Sequence, residues 1–344
     1  MVVLMYIPKF NIMKRTLLVG AIALQSLLSL SQHTFSIVAV DPATGEVGSA
    51  GASCIGGLVG VDIISGILPG RGGINAQAWV CIPNSNLNNG LNRMDMGDSP
   101  QQVLDWLFDN DSCSAHNFDT AYRQYGMVDF DGSNNPRSAA FTGHSADDYK
   151  GQVTGSNYSI QGNILLGQQI LDSMEARFLS TSGELADKLM AALQGANVPG
   201  ADTRCLIGGT SSLSSYIKLA KPSDTQGNFY LDIVIKSVPP GVEPIDTLQT
   251  RFDAWKNAMG VRNDLSRIAV SVVPNPGHEN IVITINTDRK LQLEFFSSTG
   301  ERLLVESYHA QPMSISTTSL ARGLIYYRVV DESTMVKIGS FVVM

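Results

Sequence analysis

The sequence predicts an α+β protein, in which antiparallel sheets are covered by helices, followed by a smaller all-β module. Up to about residue 260, strand-like and helix-like segments form separate blocks, whereas a doubly wound sheet would alternate them. From about residue 265, helical periodicity is absent and short strands recur between turns. A chain of 344 residues is long enough for two domains, which we place at 32–260 and 269–344 with a linker at 261–268.

The N-terminal segment has the pattern of a secretion signal. Lys14-Arg15 precedes the apolar run Thr16–Leu30, and small residues at the −3 and −1 positions place cleavage before Gln32. A membrane anchor is the alternative, but the apolar run is shorter than the ~20 residues that a span needs. We therefore assign residues 1–31 to a signal peptide, with translation starting at Met1 or at Met13, and expect an exported chain without a membrane span.

The first strands of the mature chain form a hairpin. Residues 35–40 alternate in a run rich in strand formers, and Asp41–Gly45 supplies a turn with Pro and Gly. The returning strand Val47–Cys54 carries almost only small side chains. Small residues allow close approach to a strand, either by another packed layer or by a substrate.

Caps and periodicity indicate the later elements. Ser99 is the N-cap of a helix, Pro100 occupies its first position and Gln102 completes a capping box. Elsewhere in the first domain we predict a hairpin turn at Pro69–Gly73 and an Asn-rich loop at Asn84–Asn92. The predicted strands are Arg123–Phe130, Ala139–Thr142, Thr203–Gly208, Ser215–Leu219 and Asn228–Lys236. The predicted helices are Asn163–Phe178, Leu185–Leu193, which a capping box at Thr181–Glu184 opens, and Pro244–Met259, which Gly260 ends.

The C-terminal region predicts a small all-β, immunoglobulin-like sandwich of about seven strands. These strands are Val270–Val273, Ile281–Ile285, Leu291–Phe296, Leu303–Ser307, Ser314–Ser316, Ile325–Val330 and Lys337–Val342.

The composition argues against several functions. The net charge is −7 and charged residues make up 16 % of the chain, with no basic cluster that stands out beyond Lys14-Arg15. Nucleic-acid binding by a basic face is therefore disfavoured. The glycine-rich turn lacks the ending of a phosphate loop, and no Cys/His spacing is typical of zinc. We expect no cofactor and no metal ion.

Four cysteines permit two disulfides with three pairings in an exported chain, while free thiols stay an open alternative. If one bridge forms, we favour Cys81–Cys113 over bridges to Cys54 or Cys205, because both residues flank a segment that resembles a surface insertion.

Four segments in the same order resemble family 1028 of the domains of unknown function. They are Thr34–Gly45, Arg123–Gly126, Thr142-Gly143 and Gln161–Asn163, within a match of about 34–260. Members of that family have a fold similar to the N-terminal-nucleophile (Ntn) hydrolases, which implies a four-layer αββα sandwich. Their reaction is not established in general, so a hydrolase activity is an analogy from the fold.

The resemblance implies Thr34 as the candidate nucleophile. In an Ntn hydrolase the α-amine of the first residue, with a pKa near ~8, activates its own hydroxyl. An interior threonine has an amide nitrogen, which cannot take the proton. Cleavage before Gln32 leaves Gln32-His33 ahead of Thr34. Either a peptidase removes these two residues, or Thr34 is an ordinary residue at the start of a strand.

Amide side chains in or beside the matched segments are candidates for binding the substrate or its oxyanion. They are Asn75, Gln77, Gln161 and Asn163, of which Asn163 could instead be a helix N-cap.

Arg123 is the charged candidate for substrate binding. It could grip a substrate carboxylate through two hydrogen bonds. The alternative is a structural ion pair with Asp129 or Asp202.

A second resemblance covers about 265–344. Val273–Pro276, Phe296–Gly300 and Leu320–Tyr327 are similar to the C-terminal sorting domain of type IX secretion cargo in Bacteroidota, and Lys337–Val343 is a diverged terminal motif. A sugar-binding or spacer module is the alternative, and exposed aromatic platforms would mark the sugar-binding form.

The sequence therefore supports two main hypotheses for a secreted or cell-surface protein that binds an amide- or glycan-containing ligand. The first is an Ntn-type hydrolase of an amide or peptide-like bond, and the second is a non-catalytic ligand-binding protein on the same fold. A purely structural surface protein is a third. Type IX secretion machinery is the partner expected for residues 269–344.

Overall fold

The computed structural model describes residues 29–32, 34–57, 60–266, 268–309, 311–331 and 334–344. They divide into two compact units, of which the first ends at Phe252 and the second begins at Asp253. The predicted signal peptide lies outside the described residues except for its last three residues. Within the described ranges, none of the helices has the length and apolar character of a membrane span.

Two antiparallel sheets form the centre of the first unit. Its strands are β1 (Ser29–Gln32), β2 (Phe35–Asp41), β3 (Glu46–Ser53), β4 (Ser65–Leu68), β5 (Gly72–Cys81), β6 (Arg123–Phe130), β7 (Pro136–Thr142), β8 (Gly151–Thr154), β9 (Tyr158–Gly162), β10 (Ser214–Ala220) and β11 (Leu231–Ile235). Sheet A has the order β1-β5-β6-β7, with β4 also paired to β5, and sheet B has the order β11-β10-β3-β2-β9-β8. The two sheets face each other through β2, β5, β6 and β9.

Helices cover the outer face of each sheet. Helices α1 (Ser85–Asp95) and α2 (Pro100–Asp109) pack on sheet A, while α3 (Gln168–Ser180) and α4 (Leu185–Gly195) pack on sheet B. A fifth helix, α5 (Pro244–Ser266), crosses the division between the units. The described chain is thus a mixed α/β structure with several sheets and five α-helices.

The second unit is all-β apart from the end of α5 and one short 3-10 turn within its described residues. Its strands are β12 (Val270–Val273), β13 (Asn280–Ile285), β14 (Lys290–Phe296), β15 (Arg302–His309), β16 (Met313–Ser316), β17 (Gly323–Asp331) and β18 (Thr334–Val343), each of which overlaps one predicted strand. They form a sheet β12-β13-β16 and a sheet β15-β14-β17-β18. Their alternating apolar residues form one core that includes Ile283, Leu293 and Phe295.

The Asn-rich segment after β5 is a helix, so its prediction as a loop was wrong. Asn84 is the N-cap and accepts a hydrogen bond from the backbone N–H of Leu87. Leu87, Gly90 and Met94 recur at helical spacing and are buried. The many polar residues between them concealed this stripe.

Three other predicted elements differ. Helix α3 begins at Gln168 rather than at Asn163, and the segment around Thr203–Cys205 is a 3-10 turn rather than a strand. Gly260 does not end α5, which continues to Ser266. A glycine costs only about 1 kcal/mol inside a helix, so it need not terminate one.

Both disulfides are formed. Cys81 pairs with Cys113, as favoured, and Cys54 pairs with Cys205, with Cα–Cα distances of 5.3 Å and 5.7 Å. The second bridge joins positions 151 residues apart, and no local pattern in the sequence indicates it.

Candidate functional site

The face of β2 that meets sheet A changes from polar to apolar along the strand. Ser36, Val38 and Val40 alternate on this face, Thr34 precedes them, and all four are completely buried. Val38 and Val40 belong to an apolar cluster with Val128 of β6. The interface between the sheets is therefore polar where the chain enters sheet B.

Gln77 of β5 connects the two sheets at this polar end. Its side-chain nitrogen donates to the main-chain carbonyl of Thr34 at 2.9 Å and to Oε1 of Gln124 at 2.8 Å. Its Oε1 accepts from the hydroxyl of Ser36 at 2.6 Å. All of these groups are fully buried, so each of these hydrogen bonds takes the place of a hydrogen bond that the group makes with water in the unfolded chain.

Gln161 and Asn163, at the end of β9, complete the network. Gln161 Nε2 donates to Ser36 Oγ at 2.6 Å. Asn163 Nδ2 donates to Gln124 Oε1 at 3.0 Å, and its backbone N–H donates to the Thr34 carbonyl at 3.2 Å. The Thr34 carbonyl thus accepts from two residues that are distant in sequence. Asn163 is not a helix N-cap, because Gly167 takes that position.

Gly126 of β6 makes room for this arrangement. A Cβ at this position would lie 1.8 Å from Oε1 of Gln161 and 2.7 Å from the Ser159 hydroxyl. Cβ atoms in proteins essentially never lie within 3.0 Å of a non-bonded heavy atom, so only glycine fits while the Gln161 amide keeps its place.

Asn75 belongs to a different cluster. Its Oδ1 accepts from Ser49 Oγ at 2.9 Å, and Ser49 also contacts the hydroxyl of Tyr216 at 2.8 Å. Burial raises the pKa of Tyr216. Ser49 pairs with Val38, which is four residues from Thr34 and therefore roughly 13 Å along the strand. The structure does not bring Asn75 to Thr34.

The side chain of Arg123 is buried and surrounded by acceptors of the protein itself. It forms an ion pair with Asp111 at 2.7 Å, and the two side chains are only 1 % and 2 % exposed. Its guanidinium also donates to the carbonyls of Trp79, Cys113 and Ala115. The partner is thus neither of the two acids that the sequence suggested, and the guanidinium is occupied by protein acceptors rather than aimed at a cleft.

A cleft of about 500 Å³ opens at the end of β3. Cys54, Arg204 and Cys205 border it, and Arg204 donates to Asp202 at 2.6 Å and to Ser53 Oγ at 3.4 Å. Because Phe35 pairs with Ala52, the antiparallel register places Thr34 opposite Ser53. The cleft therefore lies beside the strand end that carries Thr34.

Comparison with known proteins gives the family. The chain matches the family of unknown function DUF1028 over residues 34–245, which is more than half of its length. This chain belongs to the DUF1028 family. A crystal structure of a Silicibacter pomeroyi protein described as a DUF1028 member is similar in fold, with a TM-score of 0.50 and 24 % identity over 64 % of this chain and 88 % of that one. No curated protein matches this chain significantly.

The segments that carry the DUF1028 resemblance meet in the network at Thr34. Gln124, from the second segment, donates to Thr142 Oγ1 of the third at 2.9 Å and to the Gly162 carbonyl of the fourth at 2.9 Å. Sequence reasoning missed Gln124 as a site residue. A glutamine among buried neighbours in a predicted strand was the available signal, because buried amides require several partners.

The described part of the chain holds no group of three or more His, Cys, Asp or Glu residues arranged for a metal ion.

Proposed function

We propose that the DUF1028 domain is an exported amide hydrolase of the Ntn type, in which Thr34 is the nucleophile once it is the first residue of the mature chain. The observation that carries this proposal is the position of Thr34. Its carbonyl is held by Gln77 and Asn163 at the polar end of the interface between two sheets. The succession of a helix pair, two facing sheets and a second helix pair supports a four-layer αββα sandwich.

The proposed reaction uses the two functional groups of a terminal Thr34. Its α-amine takes the hydroxyl proton while Oγ1 attacks the substrate carbonyl, and the carbonyl electron pair moves to oxygen. Collapse of the tetrahedral intermediate breaks the C–N bond, and the proton on the α-amine passes to the leaving amine. Water, activated by the same α-amine, then hydrolyses the ester on Oγ1, which releases the acid and restores Thr34.

The surrounding amides have separate roles in this proposal. We assign the oxyanion contact to Asn163, whose side chain lies at the same strand end as Thr34 and donates to the neutral acceptor Gln124. Gln77 and Gln161 are positioning residues, because their amides hold Thr34 and Ser36. Asn75 and Arg123 take no part in the proposed reaction.

The proposal requires processing of the chain. In the structure, β1 precedes Thr34, and Thr34 is completely buried. Signal-peptide cleavage before Gln32 would still leave two residues in front of it. A peptidase must remove them before the α-amine of Thr34 can act as a base.

The experiment compares chains that start at Thr34 and at Gln32, each released from a fusion partner. A β-lactone, which acylates activated threonine hydroxyls, is added, and intact mass with peptide mapping locates the adduct. We expect an adduct on Thr34 only in the chain that starts there, together with hydrolysis of an amide substrate. Thr34→Ala removes both, whereas Thr44→Ala, in the exposed turn, changes neither. Equal labelling of both chains contradicts the mechanism.

The second candidate function is ligand binding without turnover. It is favoured by the network itself, since the amides of Gln77, Gln161 and Asn163 already donate to protein acceptors. A peptidoglycan fragment or another glycan in the adjacent cleft would be the ligand. This function predicts that Thr34→Ala leaves the affinity for such a ligand unchanged, as measured by calorimetry.

We also propose that residues 269–344 direct type IX secretion to the cell surface or medium. The seven strands support a compact β-module, but one observation favours the sugar-binding alternative. Tyr326 is 46 % exposed beside a groove of about 580 Å³ that Phe296 and Arg328 also line. A secretion experiment with a truncated chain separates the two roles.

A further inference from the structure

The edge of β5 next to Thr34 is occupied by β1, of which all but Gln32 belongs to the predicted signal peptide. Strand β1 pairs with it in antiparallel register, with Ser29 opposite Cys81, Leu30 opposite Val80 and Gln32 opposite Ala78. Signal-peptide cleavage before Gln32 would remove three of the four residues of β1. The main-chain groups of Val80, opposite Leu30, then lose their partners at a position where Val80 is buried, while Gln32 stays opposite Ala78 until the chain is trimmed to Thr34.

We propose that this edge binds the main chain of an extended peptide, which takes the place of β1. The inference deepens the proposed function, on which it rests, by naming the substrate class. Gln32 precedes Thr34 by two positions, so a peptide that runs in the direction of β1 leads towards Thr34. An exposed strand edge offers a row of main-chain donors and acceptors that an added strand can satisfy.

The edge is built as a rigid surface. Cys81 at its end is bonded to Cys113, and Arg123 ties the Trp79, Cys113 and Ala115 carbonyls together. Rigid edges lose little conformational entropy when a peptide binds.

Aromatic side chains flank the same edge. Trp79, which pairs with Ser31, contacts the ring of His116 at 4.4 Å, and His116 stacks on Tyr122 at 3.7 Å. Trp79 and Tyr122 are half-buried and His116 is exposed. These rings form a wall for side chains of the bound peptide.

The contact between Arg123 and Trp79 predicts which main-chain amide of the bound peptide forms hydrogen bonds to β5. The Trp79 carbonyl accepts from Arg123 at 2.9 Å, on the side away from β1. Since the N–H and C=O of one strand residue point to the same edge and alternate along the strand, those of Val80 face β1. Leu30 and Val80 therefore form a hydrogen-bonded pair, whereas the amide of Ser31 points away from β5.

The test uses a fluorescein-labelled peptide that copies residues 29–33 and the chain that starts at Thr34 with Thr34→Ala, so that turnover plays no part. Fluorescence anisotropy should show binding to this chain and roughly tenfold weaker binding to the same variant starting at Ser29. N-methylation of the Leu30 amide should weaken binding roughly tenfold, while N-methylation of the Ser31 amide leaves it nearly unchanged.

Equal losses for the two methylated peptides, equal binding to the two chains, or no binding overturns the inference. Dimerisation of the chain that starts at Thr34, measured by light scattering, also overturns it, because the edge then takes a second copy. Peptide binding without any β-lactone adduct on unsubstituted Thr34 would support this site and contradict the hydrolase mechanism. An adduct without peptide binding would do the reverse.

Discussion

The side-chain amide of Gln77 donates to the main-chain carbonyl of Thr34 at 2.9 Å and thereby joins β5 of sheet A to the start of β2 in sheet B. The same side chain accepts from Ser36, so one residue contacts two positions of the strand that carries the candidate nucleophile. The geometry at Thr34 and the packing of the sheets depend on the same hydrogen bonds.

Gln77→Leu should lower the free energy of unfolding by about 2–3 kcal/mol, because the Ser36 hydroxyl and the Thr34 carbonyl lose a buried partner. Urea denaturation followed by circular dichroism measures the change. Gln101→Leu, on the exposed side of α2, is the matched control and should stay within about 0.5 kcal/mol. Equal effects of the two substitutions would show that the amide network does not stabilise the interface.

The buried pair of Arg123 and Asp111 provides a second prediction. Arg123→Met leaves the Asp111 carboxylate buried without its cation and should cost about 3–5 kcal/mol in urea unfolding. Adding Asp111→Leu should recover part of this loss. Lys150→Met is the control, since Asp148 in that pair is 81 % exposed, and it should cost about 1 kcal/mol or less. A double variant as unstable as the single one would contradict this explanation.

The second unit should respond to acid through Glu294. The guanidinium of Arg328 donates to this carboxylate and lowers the pKa of Glu294 below its usual value of 4.5. A lowered pKa in the folded state means that the stabilisation is present above pH 4.5 and is lost as the pH falls through the folded value. Glu294→Gln should therefore reduce the thermal stability of this unit at pH 7 and have much less effect at an acid pH well below 4.5.

Scanning calorimetry of the full chain at both pH values checks the Glu294 prediction. Glu301→Gln, at an exposed position of the same unit, is the control and should leave the transition unchanged at either pH. A Glu294→Gln effect that persists unchanged into acid would show that the ion pair does not cause it.

Export should depend on residues 269–344. In a host with type IX secretion, the chain that lacks them should accumulate in the periplasm with a folded first domain, which protease resistance measures. The full chain with Tyr326→Ala should still reach the surface or medium, because this change removes an exposed aromatic ring and leaves the seven strands intact. Release of the truncated chain would refute the sorting role, and loss of glycan binding in Tyr326→Ala would support the sugar-binding alternative.

Local patterns predicted much of the fold. The Ser99 capping box forms as expected, with Gln102 accepting from the Ser99 backbone at 2.9 Å. The seven C-terminal strands were predicted because alternation and turns act within a few residues. The predicted box at Thr181–Glu184 does not form, since Glu184 itself is the N-cap of α4.

The site was only partly predictable, because its contacts join residues that are far apart in sequence. Gln77 and Thr34 are 43 positions apart, and Gln161 and Ser36 are 125 apart. The residue types indicated that these amides needed hydrogen-bond partners, but only the pairing of the strands decides which residues become those partners. Asn75 looked equivalent to Gln77 from the sequence, yet the register places it with Ser49 and Tyr216 instead.

Gly126 has a consequence for the evolution of this family. Because a side chain there would collide with the Gln161 amide, position 126 cannot change first without cost to the fold. A lineage that keeps the glutamine inherits the glycine as well, whereas one that replaces it by a smaller residue removes the nearer of two obstacles and keeps the Ser159 hydroxyl as the other. Among descendants of a common ancestor, glutamine at 161 should therefore always be accompanied by glycine at 126.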